Sequence, residues 1–208
     1  MNIYNLCADI KDTDAGKPSG FAVQGWCPVE KATVLHDLVE LGRPKTIVEI
    51  GVFGGRSVIA MAMAAKSYGG TVNAIDPWAK GPCLEGKNSP ENDAWWASVD
   101  LEAVYQHYLK ALEHYDVVGS VRTMRMTDEF AITEFADEQI GMLHVDGNHS
   151  EEASMRYVRS WGPKVAKGGI IVMDDINWET QKATVEYLDK NYSALAKYGT
   201  WAYYRKDR

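Results

Sequence analysis

Residues 46–57 read Thr46-Ile47-Val48-Glu49-Ile50-Gly51-Val52-Phe53-Gly54-Gly55-Arg56-Ser57. Thr46 to Ile50 is a short β-branched run, the composition of a pleated strand. It ends in a glycine turn, after which Ser57 to Tyr68 is Ala- and Met-rich and reads as a helix. Gly51 and Gly54 let the chain turn tightly and approach a ligand without a Cβ in the way. The N-terminus of the helix that follows offers free N–H groups to an anionic group such as a carboxylate.

The same alternation continues outward. Upstream, a helix starts near Pro28, shows an apolar face of Ala32, Leu35, Leu38 and Val39, and stops at Gly42 and Pro44. Downstream, strands are expected at 71–76, 121–126, 140–146 and 169–175. The spacing of Leu101, Val104, Tyr108 and Leu112 predicts a helix over four turns, and further helices are expected at 150–161 and 180–191. Ile170-Ile171-Val172-Met173 is unbroken and apolar, as in a strand covered on both faces. Two strand-like segments close the chain around Gly199, and only an antiparallel hairpin fits so few residues. Strands alternating with helices give an α/β fold with a mostly parallel sheet and a C-terminal antiparallel hairpin. Residues 1–28 read as an irregular segment and a candidate substrate cap, 29–208 as one domain, and 77–98 as a loop insertion or lid.

The chain has 208 residues, enough for one domain of ordinary size. A net charge of −7 argues against nucleic acid or an anionic membrane as the main partner. The longest apolar stretch, Val58 to Ala65, is far short of the roughly 20 residues that span a bilayer. Met1 to Leu6 has neither a basic start nor an apolar run, so no signal peptide is expected. Cys7, Cys27 and Cys83 lack CxxC spacing and read as reduced thiols of a cytoplasmic protein.

Unusual residues concentrate at strand ends, where open parallel sheets bind ligands. The dinucleotide fingerprint GxGxxG is absent, because position 53 is Phe, which makes a nicotinamide enzyme a distant alternative. The pattern E-x-G-x-x-G-G-x-S, followed by Asp76 at the end of the next strand, resembles class I S-adenosylmethionine-dependent methyltransferases. That resemblance implies a Rossmann-like three-layer sandwich with S-adenosyl-L-methionine as cofactor. It places Gly51 under the methionine part, with Glu49 helping to hold the amino group, and makes Gly54 and Ser57 cofactor-binding residues as well. Asp76 would bind the ribose, and Thr127-Asp128 would flank the adenine, although a Thr-Asp pair before Glu129 is equally a helix N-cap.

Asp146 ends the fourth strand and Asp174-Asp175 the fifth. In the methyltransferase strand order these strands are neighbours, so three carboxylates meet and repel unless protonated or bridged by a cation. Oxygen ligands without Cys favour a hard ion such as Mg²⁺ or Ca²⁺. The segments His144-Val145-Asp146-Gly147-Asn148-His149-Ser150-Glu151 and Gly168-Gly169-Ile170-Ile171-Val172-Met173-Asp174-Asp175 resemble the metal-dependent O-methyltransferases acting on sugars and macrolides. By that resemblance Asp146, Asp174 and Asp175 are metal ligands. His149, at the start of the next helix, is the general base. Other readings stay open: Asn148 with Glu151 resembles a capping box, and Asp174-Asp175 can cap a turn. His144 reads as a packed core histidine. Trp161 and Trp201 are expected in the core. Trp78, Trp95, Trp96 and Trp178 are expected either to wall a substrate pocket or to pack on themselves as a lid.

The expected activity is divalent-metal-assisted O-methylation of a small-molecule hydroxyl, with room for a homo-oligomer. A metal-independent methyltransferase and a non-catalytic binding module of the same fold are the alternatives.

Overall fold

The β-branched and apolar runs become seven strands: β1 (Thr46–Ile50), β2 (Thr71–Ile75), β3 (Val121–Met124), β4 (Ile140–Val145), β5 (Val165–Met173), β6 (Ser193–Tyr198) and β7 (Trp201–Arg205). The computed structural model describes residues 1–207; Arg208, the end of the expected 29–208 domain, lies outside the described residues. The strands form one sheet in the order β3-β2-β1-β4-β5-β7-β6. The first five are parallel, whereas β7 runs antiparallel to both β5 and β6. This is the expected mostly parallel sheet with a terminal hairpin. β5 starts at Val165, ahead of the expected 169. Gly168 at φ +79° and a register shift between Ile140 and Met142 carry the strand past residues that local propensity stops at.

Among the described residues nine α-helices flank the sheet: α1 (Ile3–Asp14), α2 (Val29–Gly42), α3 (Arg56–Lys66), α4 (Lys80–Cys83), α5 (Pro90–Ser98), α6 (Leu101–His114), α7 (Asp128–Ala131), α8 (Glu151–Trp161) and α9 (Lys182–Asn191). One core buries Leu6, Leu35, Ile59 and Tyr108 from α1, α2, α3 and α6. The other buries Val158, Trp161 and Leu188 from α8 and α9. The result is three layers. Ala60, Ala62, Ala64 and Ala65 keep α3 thin enough to be buried on nearly every side. Trp161 and Trp201 are in the core, as expected.

Two expectations are corrected. Residues 1–28 are not wholly irregular, because α1 carries a reciprocal Asn2–Asn5 capping box and buries Leu6 and Ile10. Ile3, Leu6, Cys7 and Ile10 do carry helical spacing, over only two turns. Residues 77–98 are not a plain loop but contain α4 and α5, the latter capped by Ser89 with Pro90 in its first turn.

The topology fixes where a ligand goes. β1 and β4 are neighbours, and the chain runs from the carboxyl end of β1 toward β2 and from that of β4 toward β5, in opposite directions along the sheet. A crevice opens at that switch point.

Candidate active site

Gly51, at φ +85°, starts the turn after β1, a conformation that favours glycine. A Cβ there would fall on the backbone of Asp146 and Gly147, and one on Gly54 would fall on Gln24. This corrects the expectation of open space toward a ligand: the glycines let the turn pack against the end of β4 and the segment before α2. Asp76 closes the turn from the end of β2. Its carboxylate accepts the N–H groups of Val52 (2.9 Å), Phe53 (3.0 Å) and Trp78 (2.7 Å). Burial pushes the Asp76 pKa up, and those three donors oppose the rise.

Glu49 lies elsewhere. It is fully buried, accepts the Ser57 hydroxyl, and sits 3.5 Å from Nδ1 of its strand neighbour His144. Unlike Ser57 it does not line the cleft. His144 is the packed core histidine expected, with no hydrogen-bond partner for either ring nitrogen among the described residues.

The crevice is a single cleft of about 1070 Å³. Gly51, Asp76, Thr127 and Asp128 line one end, and Asp146, His149, Asp174 and Asp175 the other. Trp26, Trp95, Trp96 and Trp178 wall it, with the Trp26 ring tilted against Phe53 at 4.9 Å and edge-on to Trp95 at 5.1 Å. Trp78 also borders the turn but is buried, its ring 5.1 Å from that of Tyr108.

At the acid end the three expected carboxylates do converge, but a lysine stands among them. Lys31, from α2 and only 1% exposed, donates to Asp174 and lies 3.4 Å from Asp146. The other Asp174 oxygen accepts the Asp175 N–H at 3.0 Å. Burial works against charge on both partners. The two carboxylates nevertheless hold the Lys31 pKa above its ordinary value, and the ammonium holds Asp174 below its own. Asp146 has its pKa pushed well up by burial and by the Asp174 charge. Asp175, at φ +50°, turns its carboxylate to within 3.0 Å of His149 Nε2. Burial and the neighbouring Asp174 raise Asp175 to about 6, and burial lowers His149 to about 4. Ligand atoms of Asp146, His149 and Asp175 lie within 4.8 Å of one another; Asp174 is not part of that group.

Residues 48–176 match the model of a family described as a methyltransferase domain, which is more than half of the chain. The chain belongs to this methyltransferase family. Its fold is that of solved class I methyltransferases. The O-methyltransferase NovP superposes with a TM-score of 0.74 at 17% identity, covering 99% of this chain and 98% of that one. TomG, an O-methyltransferase from Streptomyces achromogenes involved in tomaymycin synthesis and solved with S-adenosylmethionine, gives 0.65 at 14% identity, covering 99% and 89%. An O-methyltransferase from Bacillus cereus, solved with S-adenosylhomocysteine, gives 0.64 at 14% identity, covering 97% and 91%. A curated relative, the uncharacterised protein y4gI of Sinorhizobium fredii (strain NBRC 101917 / NGR234), is 26% identical over 140 residues. These are 66% of this chain and 14% of that protein, so the match spans about one seventh of the relative's length.

The methyltransferase keeps its insertion closed over the cleft through residues that sequence reading did not assign. Asn148 Nδ2 donates to the carbonyls of Pro82 (3.0 Å), Cys83 (3.1 Å) and Glu85 (3.0 Å). Arg156 grips Glu85 with both terminal nitrogens at 2.7 and 3.1 Å and reaches Asp128 at 3.4 Å. The N-cap of α8 is Ser150 and not Asn148, so His149 precedes the helix instead of starting it. Thr127 holds the N-cap position of α7 without a side-chain cap bond, and its hydroxyl is buried with no hydrogen-bond partner among the described residues. Lys31 had one local signal: it adjoins the buried stripe of Ala32, Leu35 and Val39, where a lysine implies an acidic partner.

Proposed function

We propose that this methyltransferase moves the methyl group of S-adenosylmethionine to a hydroxyl oxygen of a small organic acceptor, assisted by a divalent cation. The observation that carries the reading is the single cleft of about 1070 Å³ with the glycine turn at one end and the acids and His149 at the other. Ligand pockets run from about 300 to 1,000 Å³, so this cleft, at the top of that range, has room for a donor beside a small acceptor. The O-methyltransferase neighbours, two of them solved with S-adenosylmethionine or S-adenosylhomocysteine, support the same assignment.

The residues fit both groups. Asp76 retains acceptor capacity beyond its three backbone donors for a ribose hydroxyl, and Thr127 and Asp128 border the same space. For the cation, Asp146 and Asp175 offer carboxylate oxygens at one point. Mg²⁺ is commonly held by one or two carboxylates, with water and substrate completing the shell.

Bound S-adenosylmethionine supplies an electrophilic methyl group, and a bound cation lowers the pKa of a coordinated hydroxyl. The chain does the rest. Asp146 and Asp175 hold the cation. His149 is neutral at physiological pH and accepts the acceptor's proton, with Asp175 orienting its ring. Trp26, Trp95, Trp96 and Trp178 exclude water and present flat apolar surface to the acceptor. Alignment of the two reactants contributes much of the acceleration.

Calorimetry tests the assignment. S-adenosylhomocysteine should bind and NAD should not; the opposite result overturns it. Turnover measured with Mg²⁺ and after chelation separates the cation-assisted reaction from the metal-independent one.

A further inference from the structure

We infer that Lys31 is a positioning residue that keeps Asp174 out of the cation's coordination shell, so that the cation is held by Asp146 and Asp175 and its affinity is set by the lysine. This rests on the cation reading above.

Each Asp174 oxygen already accepts one donor. One takes the Lys31 ammonium and the other the Asp175 N–H at 3.0 Å. A divalent cation that took Asp174 as a ligand would have to displace a buried ammonium or sit beside it, and like charges at that range repel strongly. No such obstacle faces Asp175, whose carboxylate turns the other way to meet His149. Lys31 still lies 3.4 Å from Asp146, so the shared carboxylate feels both cations.

Charge balance points the same way. With a cation bound and all three carboxylates ionised, they and the ammonium would sum to −2, which one divalent cation neutralises. Without Lys31 the sum is −3, and Asp146 and Asp174 face each other with no counter-ion between them. The lysine is anchored for this task. It projects from the first turn of α2 and is almost fully buried. A permanent internal cation lets the protein stay folded when the divalent ion leaves.

The test is titration of the full-length protein with MgCl₂ by calorimetry, in the presence of S-adenosylhomocysteine, with melting temperature as a second readout. Lys31→Met should bind Mg²⁺ roughly tenfold more tightly or better, since Asp174 is released and a repelling charge is gone. Its melting temperature should fall in chelator and recover with Mg²⁺. Lys31→Arg should stay within a few-fold of the parent. Because Lys31→Met alone can fail to fold without the ion, Lys31→Met/Asp174→Asn is the decisive variant. It removes both partners of the ion pair and keeps the net charge. Its Mg²⁺ affinity should stay within a few-fold of the parent, and a tenfold or greater loss would make Asp174 a ligand and overturn the inference. Unchanged or weaker affinity in a folded Lys31→Met overturns it as well. If the parent and every variant bind no Mg²⁺, the cation reading itself fails and takes this inference with it.

Discussion

The two ends of the cleft are built on opposite principles. At the β1–β2 end the carboxylate is held by the fold itself: Asp76 takes three backbone N–H groups. At the β4–β5 end charge is in excess, with three carboxylates around one ammonium. The first end is a rigid frame that responds to changes of shape. The second is a soft charge cluster that responds to ions and protons. Substitutions should therefore produce different signatures at the two ends.

The largest effect belongs to the frame. Gly51→Val places a Cβ against the Asp146 backbone, in a backbone conformation that valine disfavours. It should cost about 3 kcal/mol or more of stability and abolish S-adenosylhomocysteine binding. Because the clash lies between the two ends, cation binding should be lost too. A Gly51→Val protein that still binds the cation would show the ends to be independent.

Next comes His149→Ala, which should lower turnover by roughly 10²–10⁴, the usual worth of a positioned base. Mg²⁺ and cofactor affinity should change little. Loss of Mg²⁺ binding would instead make His149 a ligand, as its place among the convergent donors allows.

A pH experiment sharpens the contrast. Asp175, raised to about 6, binds its proton more tightly when folded, so its contribution to stability is greatest below about pH 4 and is lost as pH rises toward 6. His149, lowered from 6.5 to about 4, behaves in reverse: its contribution is complete above 6.5 and lost as pH falls toward 4. The two slopes oppose each other in the parent protein. Asp175→Asn removes one of them. Its stability, followed by urea unfolding, should fall more steeply on acidification, by roughly 2–3 kcal/mol over that window. Curves parallel to the parent's would mean that the two groups do not titrate as a pair.

The smallest effect is expected at the insertion. Asn148→Ala removes the bonds to Pro82, Cys83 and Glu85 but leaves the Arg156–Glu85 grip. Net hydrogen-bond values of about 1 kcal/mol predict S-adenosylhomocysteine release faster by up to roughly tenfold in stopped flow, with equilibrium stability nearly unchanged. An unchanged release rate would show that the insertion does not gate the cofactor.

What sequence reading reaches follows from distance along the chain. Strand ends, the glycine turn, Asp76, Asp146 and His149 were legible because each is marked by a local period or by punctuation within a few residues. Lys31 and Asp174 are 143 positions apart, and Asn148 and Pro82 are 66 apart. No periodicity links such pairs. Glu49 is a different case: a glutamate at a strand end reads as a ligand-binding group, and strand pleating turns it under α3 to meet Ser57. Asp174 was legible as part of the acid cluster, but its partner Lys31 was not.

The place of β7 has one more consequence. β5, which delivers Asp174 and Asp175, is an inner strand only because β7 pairs along it from Ile170↔Arg205 to Met173↔Ala202. A chain clipped after Tyr198 would leave an apolar β5 as a bare edge, with its backbone N–H and C=O groups open to any other strand. Damage to the last strand should thus show itself as self-association before it shows as lost catalysis, and aggregation on mild carboxypeptidase digestion is its signature.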